Sequence, residues 1–372
     1  MTNDTADDVS TTTDEDEVLR EVGYLPEPER AGTALIVDQE ISRIEVNDPA
    51  VEILPLTEAL ERYDWVQDLM FSLVAPDLDE IITELAGSVH PPLGSFVRVR
   101  KDASVTLPVQ TFTLLETPQA NQYVHNICVI EEGATVESIS GSAVAGPAHS
   151  GTHVSVCETF LGDGARHRGL SVEHWDSGMR VHCYSGTKLG VGAHAVSDSV
   201  SLSPVREHYS VSTCVAGADA TMTSHSVVAA GPGTRRVIVE NIDLAGDRSR
   251  AESVTRMVAR GGTIENRPTL VGTGAFATGF VGCDGLKLSD DGLVFTSPAL
   301  KALSASAQLS HEASVGALDT ERVAYLMSTG LDEDTARGLI IQGFLTLDEL
   351  ALPASLRAQV DATVAEATSG TM

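Results

Sequence analysis

Between Glu17 and about Pro92, apolar residues recur at helical spacing: Leu56, Leu60 and Tyr63 form one set, and Leu69, Leu73, Leu78, Ile81, Ile82 and Leu85 another. The spacing predicts a mostly helical region over 18–94. His90-Pro91-Pro92 closes it, because a residue before proline is biased away from helix. From about Phe96 to Ala299 the pattern becomes short β-branched runs between glycine-centred turns, which predicts an all-β core over 95–300. One turn type recurs at Gly133-Ala134, Gly164-Ala165, Gly192-Ala193 and Gly217-Ala218, with Gly246-Asp247 after them, at intervals of 31, 28, 25 and 29 residues. A repeat of this size, with strands and no helix inside it, suggests a solenoid. A β-sandwich with evenly spaced hairpins is the alternative. After Pro298 the helical period returns. Asp319 or Thr320 is placed to cap a helix carrying Val323, Leu326 and Met327 that stops at Gly330. Asp332 is placed to cap a second, with Ala336, Leu339 and Ile340, that stops at Gly343. A third runs from Pro353 to Ala367, with the proline in its first turn. Residues 301–372 therefore read as a helical C-terminal subdomain. Its short amphipathic helices must pack on the solenoid end or on a partner.

Composition sharpens this picture. Aromatic residues make up 4% of the chain while glycines number 32, which suits a regular β stack of small and β-branched residues better than a sandwich core. Residues 1–17 are acidic and poor in apolar side chains, and read as a disordered tail. Acidic residues number 53 against 24 basic ones, a net charge of -29, and Lys101, Lys188, Lys287 and Lys301 are the only lysines. Self-repulsion of this size is relieved by salt, so the composition suggests a halophilic protein of a salt-filled cytoplasm. The same charge argues against nucleic acid and against anionic membranes as partners. No uncharged apolar stretch reaches the length of a membrane span, and the N-terminus is unlike a signal peptide, so a cytoplasmic location is expected.

The chemistry-bearing motifs are few. Ser185-Gly186-Thr187-Lys188 has part of a phosphate loop but lacks the upstream glycine at the required spacing, and no nucleophile elbow or His-Glu-x-x-His zinc motif occurs. Five cysteines (Cys128, Cys157, Cys183, Cys214 and Cys283) are widely spaced with no Cys-x-x-Cys, as for reduced thiols. The first four lie in strand-like runs, out of phase with the turns, and read as small buried hydrophobes. Cys283 differs: it sits in Val281-Gly282-Cys283-Asp284-Gly285, beside glycines and a carboxylate, and is expected to be exposed.

Three segments carry a family resemblance. Val124 to Ala134 resembles the strand and Glu-Glu-Gly-Ala turn that opens the core of the SufB/SufD family. Glu158-Thr159-Phe160, through Gly164-Ala165 to Glu173-His174-Trp175, is similar to the strand–turn–strand of that family, with His174 where asparagine is usual. Gly282-Cys283-Asp284-Gly285-Leu286-Lys287-Leu288 is followed by His311-Glu312-Ala313, Val315-Gly316-Ala317-Leu318-Asp319, Tyr325-Leu326-Met327-Ser328-Thr329-Gly330 and Gly343-Phe344. That block resembles SufB more than SufD at His-Glu-Ala. The resemblance covers about 95–345, and the short chain is similar to a minimal archaeal type in which one SufB-like chain replaces the SufB–SufD pair.

The resemblance implies a right-handed parallel β-helix flanked by N- and C-terminal helical segments. It also implies a non-enzymatic scaffold of SUF-type iron–sulfur cluster assembly. ATP hydrolysis would then fall to a SufC-like ABC-type ATPase bound through the C-terminal helices, and apoprotein recipients would take the clusters. The matched cluster-binding positions are Cys283 and Glu312, with His311 beside Glu312. A thiolate with harder carboxylate and imidazole ligands makes a labile site, as a scaffold needs. One thiolate cannot hold a cluster alone, so a homodimer, or pairing with a SufB/SufD paralogue, is expected to bring two Cys283 to one site. Two other readings compete: a SufD-like structural partner that binds no cluster, and a β-helix enzyme acting on polysaccharide.

Overall fold

The computed structural model describes residues 11–88 and 91–345. In chain order the elements are α1 (Thr11–Glu21), β1 (Gly32–Val37), β2 (Glu40–Val46), β3 (Val51–Pro55), α2 (Leu56–Arg62), α3 (Asp64–Gln67), α4 (Glu80–Ser88), β4 (Ser95–Val99), β5 (Val109–Leu115), β6 (Asn121–Ile130), β7 (Thr135–Val144), β8 (Ser150–Leu161), β9 (Arg166–His174), β10 (Gly178–Leu189), β11 (His194–Ser201), β12 (Glu207–Ala216), β13 (Thr221–Ala230), β14 (Arg235–Leu244), β15 (Arg250–Ala259), β16 (Thr263–Gly272), β17 (Thr278–Lys287), β18 (Leu293–Thr296), β19 (Ala299–Ala302), β20 (Gln308–Ala317), α5 (Thr320–Ser328) and α6 (Glu333–Leu345).

From β5 to β18 consecutive strands fall in opposite sheets. One sheet runs β2-β1-β5-β7-β9-β11-β13-β15-β17-β20 and the other β18-β16-β14-β12-β10-β8-β6-β4-β3, with β19 also paired to β16. Each coil of the chain thus adds one strand to each sheet, and the result is a parallel β-solenoid of about 8 turns. Antiparallel strands, β1 with β2 and β3 with β4, close the N-terminal end.

Alternate residues of each strand point into the lumen. Val136, Leu161, Leu189, Cys214, Ile242 and Leu270 do so and form part of one continuous core between the sheets. Residues of the other parity point out, where terminal elements cover them. Leu19 of α1 and Val22 just after it pack on Phe112, Leu114 and Val172, while Val323, Ala336 and Ile341 of α5 and α6 pack on Val227, Val258 and Leu286. Each of these buried Val, Leu, Ile and Phe side chains contributes about 1.5–3 kcal/mol relative to exposure.

Two columns of turn residues set the period. In the first, Gly246 lies so close to the previous coil that a Cβ would come within 2.0 Å of the Ala218 nitrogen, and Gly274 likewise meets the Gly246 oxygen at 2.0 Å. In the second, two residues later, φ is positive at Gly164, Gly192, Asp219, Arg248 and Phe276. The amide of each residue in this second column bonds to the next coil: Gly164 to Val191 O, Gly192 to Ala218 O, Asp219 to Asp247 O and Arg248 to Ala275 O, all at 2.8 Å. The expected run of Gly-Ala turns therefore changes phase. Gly133, Gly164 and Gly192 belong to the second column, whereas Gly217 and Gly246 belong to the first. Backbone contacts hold the left-handed conformation firmly enough for Asp219, Arg248 and Phe276 to take it without glycine.

Four expectations need correction. The region 18–94 is mixed rather than mostly helical. α2 fits the Leu56, Leu60, Tyr63 period, but 32–55 forms three strands because open β-sheet edges at β4 and β5 recruit them. Thr11–Glu21 is a helix, so the acidic tail is not disordered up to residue 17; residues 1–10 lie outside the described residues. The solenoid runs to Ala317, not 300, since β20 completes a coil beyond β17. α6 continues through Gly343 to Leu345, and the expected helix over 353–367 lies outside the described residues. The caps agree with the sequence: Asp319 accepts from the amides of Glu321 (2.9 Å) and Arg322 (3.3 Å), and Asp332 from that of Thr335 (2.9 Å).

Candidate functional site

Cys283 lies on β17, the penultimate strand of its sheet, and is 0% exposed, contrary to the expectation that it is open to solvent. Its odd-numbered parity, shared with Val281, turns it into the lumen, where the Asn266 amide of the opposite sheet donates to its sulfur at 3.4 Å. Burial raises the thiol pKa, and the Glu240 and Asp284 carboxylates add to that, against hydrogen bonds from Thr296 and Asn266. Beside it Asn266 Oδ1 is buried without a hydrogen-bond partner, and Thr296, in register with Asn266, turns its hydroxyl to the Cys283 thiol. An orphaned oxygen of this kind costs about 1–3 kcal/mol, so the lumen at Cys283 sets polar groups beside the apolar packing of Leu270, Val281 and Val294.

The parallel register puts Ala313 beside Cys283, Glu312 beside Gly282 and His311 beside Val281. All three expected residues thus sit on adjacent strands, within two positions of one another. Strand alternation divides them, however. His311 shares the lumen-side face with Cys283, while Glu312 shares the outer face with Asp284, which accepts from Ser314 Oγ at 2.7 Å. The chain brings Cys283 and His311 together and turns Glu312 away. β20 is exposed along nearly its whole length, because no strand follows it in its sheet among the described residues.

The sequence reading missed the polarity of the lumen. Ser140, Ser171, Ser199, Ser226, Thr255 and Cys283 are successive register partners, so a row of five hydroxyls runs along one sheet and ends on the Cys283 thiol. Ser199 Oγ donates to Ser226 Oγ at 2.8 Å within that row. Across the lumen, His208 Nε2 meets Glu173 at 2.8 Å, Cys183 Sγ donates to Glu173 at 3.4 Å, and Ser253 Oγ to Glu240 at 2.5 Å, while Ser201 Oγ of the neighbouring strand donates to Glu173 at 2.6 Å. Arg236 is buried and donates to Ser201 Oγ, Ser203 O and Ala229 O, each at 2.7 Å. The alternation Ser197-x-Ser199-x-Ser201 carries this signal, but alternation alone reads as a solvent face; only the closed coil makes it an interior. All five thiols face inward by the same parity, no two are register partners, and burial pushes those of Cys128 and Cys214 up to about 12. None is a thiolate until a metal bonds to the sulfur and displaces its proton to solvent.

Residues 113–344 match the family described as SUF system FeS cluster assembly, SufBD core domain. An iron–sulfur cluster assembly SufBD family protein of Archaeoglobus fulgidus is 32% identical over 349 residues, covering 94% of both chains. One from Methanothermobacter thermautotrophicus is also 32% identical, over 92% of this chain and 85% of its own. A third, from Pyrococcus horikoshii, is 25% identical over 79% of this chain and 66% of its own. With a matching fold, a match over most of the core and similarity along nearly the full length, this chain belongs to the SufBD family of iron–sulfur cluster assembly proteins.

Proposed function

We propose that the chain is the scaffold subunit of a SUF-type assembly complex, holding a nascent iron–sulfur cluster as its cargo and passing it to apoproteins. The observation that carries this reading is Cys283 on the penultimate strand of the stack, beside the orphaned Asn266 oxygen and the Thr296 hydroxyl and next to the exposed strand of His311. Cys283 supplies the thiolate and His311 a second ligand on the same face, while Glu312 offers a carboxylate from the outer face of the exposed β20. Two copies meeting along their β20 edges keep their Cys283 residues three ladder steps apart, about 14 Å at the usual strand spacing. That is too far for two thiolates on one compact cluster, so in this pairing the cluster at each Cys283 needs ligands other than the second Cys283.

Energy for the cycle is assigned to a SufC-like ABC-type ATPase, because no phosphate loop occurs in the chain. Its docking face is the C-terminal pair of helices, where Tyr325, Met327 and Leu339 are exposed. A homodimer through β20, or a pair with a paralogue, completes the assembly. The burial of Cys283 favours a second reading, a SufD-like structural partner without a cluster.

Anaerobic reconstitution with Fe2+ and sulfide decides between them. The wild-type chain should take up both and show sulfide-to-iron charge-transfer absorbance. Cys283→Ser should lose most of the iron, and His311→Ala and Glu312→Ala should weaken retention. Full iron in Cys283→Ser places the cluster elsewhere, and no iron in the wild type leaves the structural reading. The ATPase assignment fails if the wild-type chain and a chain lacking residues 318–372 capture the purified ATPase equally.

A further inference from the structure

We propose that Glu173, Cys183 and His208 form a three-ligand site for a single divalent transition-metal ion inside the solenoid, separate from Cys283. One ligand atom from each residue lies within 4.8 Å of the other two. Glu173 comes from β9 in one sheet, and Cys183 and His208 come from β10 and β12 in the other, so the group spans the lumen. Each residue is fixed by strand register: Cys183 stands opposite Ser210 two positions from His208, and Glu173 opposite Ser201.

The site has an outer layer that aims the carboxylate. Ser201 Oγ donates to Glu173 Oε2 and itself accepts from Arg236, whose two other hydrogen bonds go to backbone oxygens. The guanidinium, so anchored, makes no direct hydrogen bond to the three donor atoms, though its charge acts on Glu173 and Cys183. On the other side, His208 Nδ1 and Trp175 Nε1 are buried without a partner, so internal hydrogen bonds do not complete this part of the lumen. A plain Glu–His ion pair needs neither a sulfur at 3.4 Å from the carboxylate nor unpartnered donors around it.

The donor set selects the ion. A thiolate, an imidazole and a carboxylate suit borderline cations such as Fe2+, Zn2+ or Co2+, and are a poor match for Mg2+ or Ca2+. On binding, the Cys183 S–H bond breaks, its proton leaves to solvent and a metal–sulfur bond forms. The two negative ligands then cancel the charge of the ion. Three protein ligands leave a fourth tetrahedral position open, as in sites that exchange what they hold.

The test uses the full-length chain carrying Cys283→Ser, so that a cluster at Cys283 does not contribute, titrated with Co2+ under anaerobic conditions. One equivalent of Co2+ should give tetrahedral d–d bands and thiolate-to-cobalt charge transfer. Adding Cys183→Ser should abolish the charge transfer, and the near-isosteric Glu173→Gln should weaken binding at least about tenfold, as loss even of outer-layer partners does at metal sites. Cys157→Ser should leave the signal unchanged. Zn2+ and Fe2+ should displace Co2+, and Mg2+ should not. Absence of thiolate charge transfer, or its persistence in Cys183→Ser, overturns the assignment. Circular dichroism of metal-free Glu173→Gln separates loss of binding from loss of fold. A failure here leaves the cluster proposal for Cys283 standing, since that residue is absent from the tested chain.

Discussion

His153 sits in the lumen at 1% exposure, bonded through Nδ1 to Gln122 Oε1 at 2.9 Å and stacked against Trp175 with ring centroids 4.9 Å apart. Burial lowers its pKa from 6.5 to about 4. The unfolded chain therefore takes up this proton before the folded one does, and the contribution of neutral His153 is complete above about pH 6.5 and declines as pH falls toward 4. By pH 5 the loss is about 2 kcal/mol. Urea midpoints measured at pH 7 and pH 5 should therefore differ less in His153→Gln than in the wild type; equal differences would show that His153 does not report the lumen. Such partners were not legible in the sequence, where His153 is one of eleven scattered histidines. The same holds for Glu158, quoted only as part of a motif. Its buried carboxylate accepts the amides of Phe71 and Leu73 at 2.7 Å and of Val74 at 3.2 Å, across more than eighty residues of chain. Composition and period say nothing about contacts of that range.

Among the elements, β20 is the one whose hydrogen bonding is half complete. The Gln308 amide bonds back to Ala277 O, and the alternation of a parallel ladder then leaves the amides of Leu309, His311, Ala313 and Val315 pointing away from β17. An open edge of this length is a template for another strand. Ala313→Pro removes one outward donor and no ladder bond, which proline tolerates on an edge. The variant should run as a monomer in sedimentation while keeping the wild-type melting temperature, if pairing through β20 joins two copies; an unchanged dimer would place that interface elsewhere. The sequence showed that strands repeat and that Asp319 and Asp332 start helices, because turn and cap chemistry is local. It misplaced the repeat after Gly192, since Asp219, Arg248 and Phe276 occupy left-handed positions where glycine is the local signal. It also placed Cys283 and Glu312 side by side, correct for neighbouring coils but blind to a one-residue offset that puts them on opposite faces.

At the scale of the whole molecule, an acidic excess of 29 charges outweighs what its surface ion pairs return. Pairs such as Arg248–Asp219 at 2.5 Å are exposed and worth at most about 1 kcal/mol each. Raising KCl from about 0.1 M to about 1 M cuts the screening length from about 10 Å to about 3 Å, which weakens those pairs but weakens the general repulsion more. The melting temperature should rise with KCl, and a flat or falling curve would count against salt adaptation. The two columns of turn residues have a further consequence for how such a molecule changes length. Because Asp219 occupies in its coil the position that Gly192 occupies one coil earlier, excising residues 192–218 would join Val191 to Asp219 with every later turn still in step. The stack resembles a ruler graduated in coils. It can be shortened or extended by a whole graduation, while a cut of any other size throws everything beyond it out of alignment.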